Sequence, residues 1–151
     1  MKVLVQRVRE AHCRINDDIT AAISHGFVLF VSFRDGETGK AIPWMAKKVA
    51  NLRIFDDAEG NLNRSLKDVA GSVLSISQFT LEADARKGNR PSFTQALAPT
   101  QAHPLYDQFN HALSRHGIPV NTGQFGETMH ISLTNDGPVT ILLERNEDND
   151  S

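Results

Sequence analysis

A single cysteine, Cys13, stands in 151 residues, which excludes any internal disulfide framework and suits a reducing compartment. No apolar run approaches the roughly twenty residues of a membrane span. The opening MKVLVQRVREAHCRIN is interrupted by Gln6, Arg7 and Arg9 too early for a signal-peptide core. A cytoplasmic protein with no membrane partner is therefore expected. The six histidines never pair at HxxxH spacing and never flank a cysteine couple, so no metal set is legible and no cofactor is expected. The G-x-S-x-G elbow of serine hydrolases is absent. Lys and Arg (16) are outnumbered by Asp and Glu (18), giving a net charge of −2. That balance excludes a general nucleic-acid coat and leaves DNA an unexpected partner. It leaves room for a local basic patch that steers a polyanion.

What is present describes an ordinary globular chain. Hydrophobic residues make up 40% and charged residues 23%, in a length that fits one domain with its own core. One domain over 1–144 is expected, followed by an acidic, disordered tail over 145–151. Val3 and Val5 begin a strand, and Cys13-Arg14-Ile15 faces Ile19-Thr20-Ala21 across Asn16-Asp17-Asp18. Asn and Asp tolerate left-handed backbone, so that junction predicts a hairpin. The apolar run Gly26 to Phe33 predicts a strand covered on both faces. Ile42, Met45, Val49 and Leu52 share one helical stripe, with Pro43 tolerated in the first turn. Leu105, Phe109, Ala112, Leu113 and His116 share a second, stopped by Gly117 and Pro119. Leu52–Phe55 and Ser72–Leu81 read as strands and 84–100 as a loop. Residues 129–133 and 139–143 read as a strand pair joined by Asn135-Asp136-Gly137-Pro138. The fold class is mixed α/β with much antiparallel pairing.

Three apparent motifs reduce to structure. Asp35-Gly36-Glu37-Thr38-Gly39-Lys40 resembles a phosphate loop, but Arg34 and Ala41 break the required spacing, so it reads as a polar turn before a helix. Asp56 to Asn61 is acidic, yet Gly60 is out of register for a calcium loop and a hairpin turn is the better account. Cys13 beside Ile15 reads as a buried core thiol rather than a nucleophile.

Three features resist a purely structural account. Ser77-Gln78-Phe79-Thr80-Leu81 places polar residues after Val73, Leu74 and Ile76; in a regular strand Gln78 and Thr80 share a face. A strand edge whose hydroxyls satisfy nearby backbone and a functional site both fit. Gly137-Pro138 opens a strand, where proline cannot donate to the ladder; a simple turn and a special backbone both fit. Arg86-Lys87-Gly88-Asn89-Arg90-Pro91-Ser92-Phe93 combines three cations with an aromatic, which suits an RNA backbone or a solvated loop equally.

Ser77 to Leu81 together with Asn135-Asp136-Gly137-Pro138-Val139-Thr140 resembles the two motifs of the D-aminoacyl-tRNA deacylase family. Gln6-Arg7-Val8, Arg53-Ile54-Phe55, Gly71-Ser72-Val73-Leu74, Arg90-Pro91-Ser92-Phe93 and Thr122-Gly123-Gln124-Phe125 follow its pattern in order, over residues 1–144. The departures are Ser32 where the family often has glycine, an unusual Cys13-Arg14-Ile15, and the extra residues after Glu144.

The resemblance implies a barrel-like β/β/α layered domain with two main helices. It implies hydrolysis of the ester of D-aminoacyl-tRNA, and of mischarged glycyl-tRNA, with L-aminoacyl-tRNA rejected. The catalytic segment would be Ser77, Gln78, Phe79 and Thr80, with backbone N–H groups at Phe79 and Thr80 as oxyanion donors and the substrate 2′-hydroxyl aiding the water. Thr80 has no base beside it in sequence, so a positioning role is preferred over a nucleophilic one. A methylene contact discriminates by only about 1–3 kcal/mol, so rejection of L esters requires a rigid wall. The resemblance supplies that wall as a cis Gly137-Pro138 reaching into the site of a partner subunit, which makes the enzyme a homodimer with cross-subunit sites. Arg7 is implied to hold that loop and Met129 to line the pocket. The alternatives are a non-catalytic RNA-binding module on Arg86, Lys87, Arg90 and Phe93, and a small-ester hydrolase using Thr80.

Overall fold

The computed structural model describes residues 1–149, so Asp150 and Ser151 of the expected tail lie outside the described residues. Strand β1 (Lys2–Ile15) is the spine of a six-stranded sheet. It forms the predicted hairpin with β2 (Asp18–Ile23), where Asn16 takes the left-handed conformation at φ 54°. Its first half also pairs antiparallel with β3 (Gly26–Ser32). Strand β3 pairs parallel with β6 (Ser72–Ser77), which pairs parallel with β7 (Val120–Thr122). Strand β8 (His130–Glu144) runs antiparallel along the other edge of β1. The result is a mixed, nearly closed, barrel-like sheet with two helices.

Strand β3 is buried on both faces, as its unbroken apolar run predicts. Phe27, Leu29 and Val31 enter the larger core beneath the helices, while Val28 enters a second one with Cys13, Leu74 and Ile76. Cys13 is fully buried there. Gly26 is obligatory: at φ +153° its added Cβ would lie 1.8 Å from the Ser72 carbonyl oxygen.

Helix α1 (Ile42–Asn51) buries Ile42, Met45 and Val49 as its stripe predicts, and Leu52 becomes its C-cap. Helix α2 (Pro99–Ser114) buries Leu105, Phe109 and Leu113. It starts earlier than expected: Pro99 occupies the first turn, where a missing N–H is harmless, and Pro104 is accommodated further along. The strand expected over Leu52–Phe55 shrinks to β4 (Phe55–Asp56), which pairs with β5 (Leu62–Arg64). The Asp57 carboxylate closes that hairpin by accepting from the N–H groups of Glu59 and Asn61, both at 2.9 Å.

Two expectations are corrected. Residues 129–133 and 139–143 do not pair with each other, because β8 is one long strand whose two halves both pair with β1. In that register Gln6 faces Thr140 and Val8 faces Asn135, so Asp136 to Val139 bulge out opposite Arg7. Pro138 has no N–H to give the ladder, and a bulge removes the demand. The strand expected over Ser72–Leu81 ends at Ser77 and passes into a 3-10 turn, Phe79–Glu82.

The acidic C-terminal stretch is partly tied down. The Glu147 carboxylate accepts from the N–H groups of Thr38, Gly39 and Lys40 at 2.6, 2.8 and 3.1 Å. The phosphate-loop look-alike is thus a turn whose backbone donors hold a carboxylate of the same chain.

Candidate active site

The last rung of β6 sets the site. Ser77 pairs with Val31, and the Gln78 N–H donates to the Val31 carbonyl at 2.8 Å. Gln78 then leaves strand geometry at φ −142°, ψ 78°. In the turn that follows, Leu81 N–H returns to the Gln78 carbonyl and Ala83 N–H to the Thr80 carbonyl. The first N–H groups of any helical turn have no partner within it. Here these are Phe79 and Thr80, and neither donates to a backbone carbonyl among the described residues. Gln78 and Thr80 are joined instead by side chains, the Gln78 amide donating to the Thr80 hydroxyl at 2.5 Å. The shared strand face expected for this pair is replaced by a shared turn.

This turn borders a cavity of about 500 Å³. Ser77, Gln78 and Phe79 line it together with Phe93, Phe125 and Met129. The walls are mainly apolar, and no histidine is among the lining residues. Thr80 is exposed beside the cavity, and its hydroxyl is met by the Gln78 amide rather than by a base. A pair of fixed backbone donors at an apolar cavity can stabilise an oxyanion without any titrating nucleophile.

A buried acid braces the turn from behind. Glu82 is 2% exposed, and its carboxylate accepts from the Ser32 hydroxyl at 2.9 Å and from Lys2 Nζ at 3.3 Å. Lys2 also donates to the Leu81 carbonyl at 3.3 Å. Ser32 lines the cavity and supplies the hydroxyl in this brace. The sequence carries no sign of this role, because a glutamate following an apolar strand looks solvated. Tyr106 packs behind Phe125, its hydroxyl donating to the Ser75 carbonyl at 2.7 Å, and burial pushes its phenol above the usual range.

Arg7, Gly137 and Pro138 lie elsewhere: they are not among the residues lining this cavity. Arg7 is 6% exposed and donates to the Asp136 carbonyl at 2.9 Å and the Ile54 carbonyl at 2.8 Å. The Asn135 side chain closes the bulge by accepting from Val139 N–H at 2.8 Å and donating to the Val139 carbonyl at 3.1 Å. The Gly137-Pro138 peptide is cis, and Gly137 sits at φ +138°. A Cβ there would meet Val139 Cγ2 at 2.8 Å and Arg7 Nη2 at 3.1 Å. Of the eight residues singled out, the structure gathers Ser77, Gln78, Phe79 and Met129 around the cavity with Thr80 beside them, and sets Gly137 and Pro138 on the bulge with Arg7 facing them from β1.

Known proteins match this arrangement along nearly its whole length. The family model for D-Tyr-tRNA(Tyr) deacylase matches residues 4–144. The D-aminoacyl-tRNA deacylase of Limosilactobacillus reuteri (strain DSM 20016) is 48% identical over 145 residues, 96% of this chain and 100% of its own. That of Exiguobacterium sibiricum is 48% identical over the same shares of each chain. Among solved structures, the c-Myc DNA unwinding element binding protein superposes with a TM-score of 0.90 at 35% identity, covering 97% of this chain and 99% of that one. A probable eukaryotic D-amino acid tRNA deacylase shares the fold, with a TM-score of 0.81 at 20% identity over 94% and 97% of the two chains. Since these matches run through both the 77–81 turn and the 135–140 bulge, the chain belongs to the D-aminoacyl-tRNA deacylase family.

Proposed function

We propose that this cavity takes the aminoacylated 3′ end of tRNA and that the 77–80 turn hydrolyses its ester, releasing free D-amino acid and tRNA. The observation that carries this reading is the pair of orphan N–H groups at Phe79 and Thr80, fixed beside an apolar cavity. Water adds to the ester carbonyl carbon, and the two N–H groups hold the resulting oxyanion. Collapse breaks the bond to the ribose oxygen, which leaves with a proton, while the acid departs as carboxylate and a second proton passes to solvent. The substrate's own neighbouring hydroxyl aids the water, a role no side chain of the turn is equipped to take. Ser77 and Gln78 shape the turn, Thr80 positions it through Gln78, and Met129 lines the pocket.

Selection against L esters is assigned to Gly137 and Pro138 of a second copy of the chain. Their bulge is pinned by Arg7 and Asn135 and is not among the residues that line the cavity of its own subunit, which supports a role at the site of a second copy. The functional unit is a homodimer. The backbone wall excludes an L side chain and admits glycine, which extends the substrates to mischarged glycyl-tRNA. The activity belongs in the cytoplasm, a reducing compartment that suits the free, buried Cys13; no helix among the described residues is long and apolar enough to cross a membrane.

Phe79→Pro tests the chemistry. Proline at the first position of a helical turn is tolerated and deletes one N–H. Loss of a single oxyanion donor lowers kcat by about 10²–10³. Phe79→Ala keeps the N–H and is the control for the lost ring. Equal kcat in the two variants contradicts an oxyanion role for this amide.

A further inference from the structure

We propose that the loop over residues 84–92 is a phosphate-binding lip for the single-stranded RNA that leads into the cavity. The inference rests on the reading of the cavity as the site for the charged 3′ end. The loop is a closed unit: Asp84 and Ser92 exchange backbone hydrogen bonds, each 2.8 Å. Inside it, the Asp84 carboxylate accepts from the Arg86 backbone N–H at 3.1 Å and from its guanidinium Nε and Nη2 at 2.9 and 2.7 Å. Asp84 and Arg86 therefore neutralise one another and hold the loop's shape. Lys87 and Arg90 remain, both exposed and without a partner among the described residues. They give the lip a positive charge on a protein whose net charge is −2.

The lip abuts the mouth of the cavity. Immediately after Ser92, the Phe93 ring meets the Phe79 ring edge to face, 5.2 Å between centroids. Both rings border the cavity, yet Phe79 is 56% and Phe93 37% exposed. Two exposed aromatics in contact, joined by a segment that carries two unpaired cations, form the combination that binds single-stranded nucleic acid, with rings for bases and cations for the backbone. A strand whose terminal nucleoside enters the cavity must cross this rim, which brings its preceding phosphates to Lys87 and Arg90.

The test compares two substrates of the full-length enzyme: D-tyrosyl-tRNA, and D-tyrosyl-adenosine, which carries the ester but no phosphodiester. The double variant Lys87→Ala/Arg90→Ala is expected to raise KM for the tRNA ester on the order of tenfold with kcat unchanged, and to leave the adenosine ester unaffected. The slope of log KM against log salt should fall by about 1.4, roughly 0.7 for each single-strand phosphate that Lys87 or Arg90 no longer neutralises. An unchanged KM for the tRNA ester, equal losses on both substrates, or a shift of the variant to monomer in sedimentation would each overturn the proposal, the last by making the loop a protein contact. If the unaltered enzyme cleaves neither ester, the reading of the cavity fails. The lip is then judged by binding of uncharged tRNA, which the double variant must weaken about tenfold for the proposal to stand.

Discussion

Arg7 on β1 donates its guanidinium Nε to the Asp136 carbonyl of β8 at 2.9 Å, so a buried cation on one strand fixes the bulge of the other. Its second donor reaches the Ile54 carbonyl at 2.8 Å, tying the bulge to the chain leaving α1. Asp56 and Asp136 stand within 3.5 and 3.7 Å of the same guanidinium, and both are about half exposed, so they balance charge while the carbonyls set position.

Arg7→Ala should lower unfolding stability by about 3 kcal/mol, since it strands two carbonyls in a buried setting. Arg7→Lys should recover only part of that, because a point charge cannot serve two carbonyls as a fork does. Chemical denaturation of the three proteins measures this, and equal midpoints would mean the bulge is held by Asn135 alone.

Gly137→Ala places a methyl group against Val139 and Arg7 at a φ of +138° that L residues rarely adopt. The bulge must move to relieve it. The expected outcome is a fall of tenfold or more in the D over L rate ratio with the cavity intact. A preserved ratio would remove Gly137 from the wall.

Thr80→Ala separates positioning from nucleophilic attack. Losing the bond from Gln78 should lower kcat less than tenfold, because the backbone donors persist. A drop of a thousandfold or more, or a trapped acyl-enzyme in rapid-quench experiments, would make Thr80 a nucleophile.

Glu82→Ala deprives the Ser32 hydroxyl and the Lys2 ammonium of the carboxylate they share next to the 77–81 turn and leaves Lys2 the Leu81 carbonyl. Stability should fall by about 2–4 kcal/mol and kcat with it. Adding Ser32→Gly removes one orphan and should restore part of both. Strictly additive losses in the double-mutant cycle would contradict a coupled brace.

The Asp84 carboxyl is held down to about 2, first by its side-chain hydrogen bonds from Arg86 and then by the Arg86 backbone N–H. A carboxyl lowered in the folded state contributes above its unfolded value, near 3.8, and that contribution disappears as pH falls through the folded value. The lip should therefore keep its closed form at pH 4 and open only toward pH 2. Carbon-13 titration of the Asp84 carboxyl reads this, and a midpoint near 3.8 would mean the Arg86 clamp does not form in solution.

Local chemistry made several elements legible. The β3 run, the Asn16 turn and the α1 stripe each declare themselves within a few residues, because burial period and turn geometry are local properties. Pairing is not. Asn135-Asp136-Gly137-Pro138 has the composition of a hairpin turn, and only the length of β1 makes it a bulge in one continuous strand. Likewise Pro99 and Pro104 look like breakers, although the first lies where a helix begins. In the site, the polar residues after Ile76 mark the turn, but their arrangement depends on the strand ending where Gln78 meets Val31. The Glu82 brace joins residues some fifty and eighty positions apart, a separation at which no sequence pattern operates.

Matched hydrolysis of D-tyrosyl-tRNA and L-tyrosyl-tRNA by the purified protein, with chelator present, tests the central claim most directly. Rapid release of D-tyrosine with the L ester intact is the predicted result. Binding of tRNA without cleavage of either ester would contradict it and leave an RNA-binding module in its place.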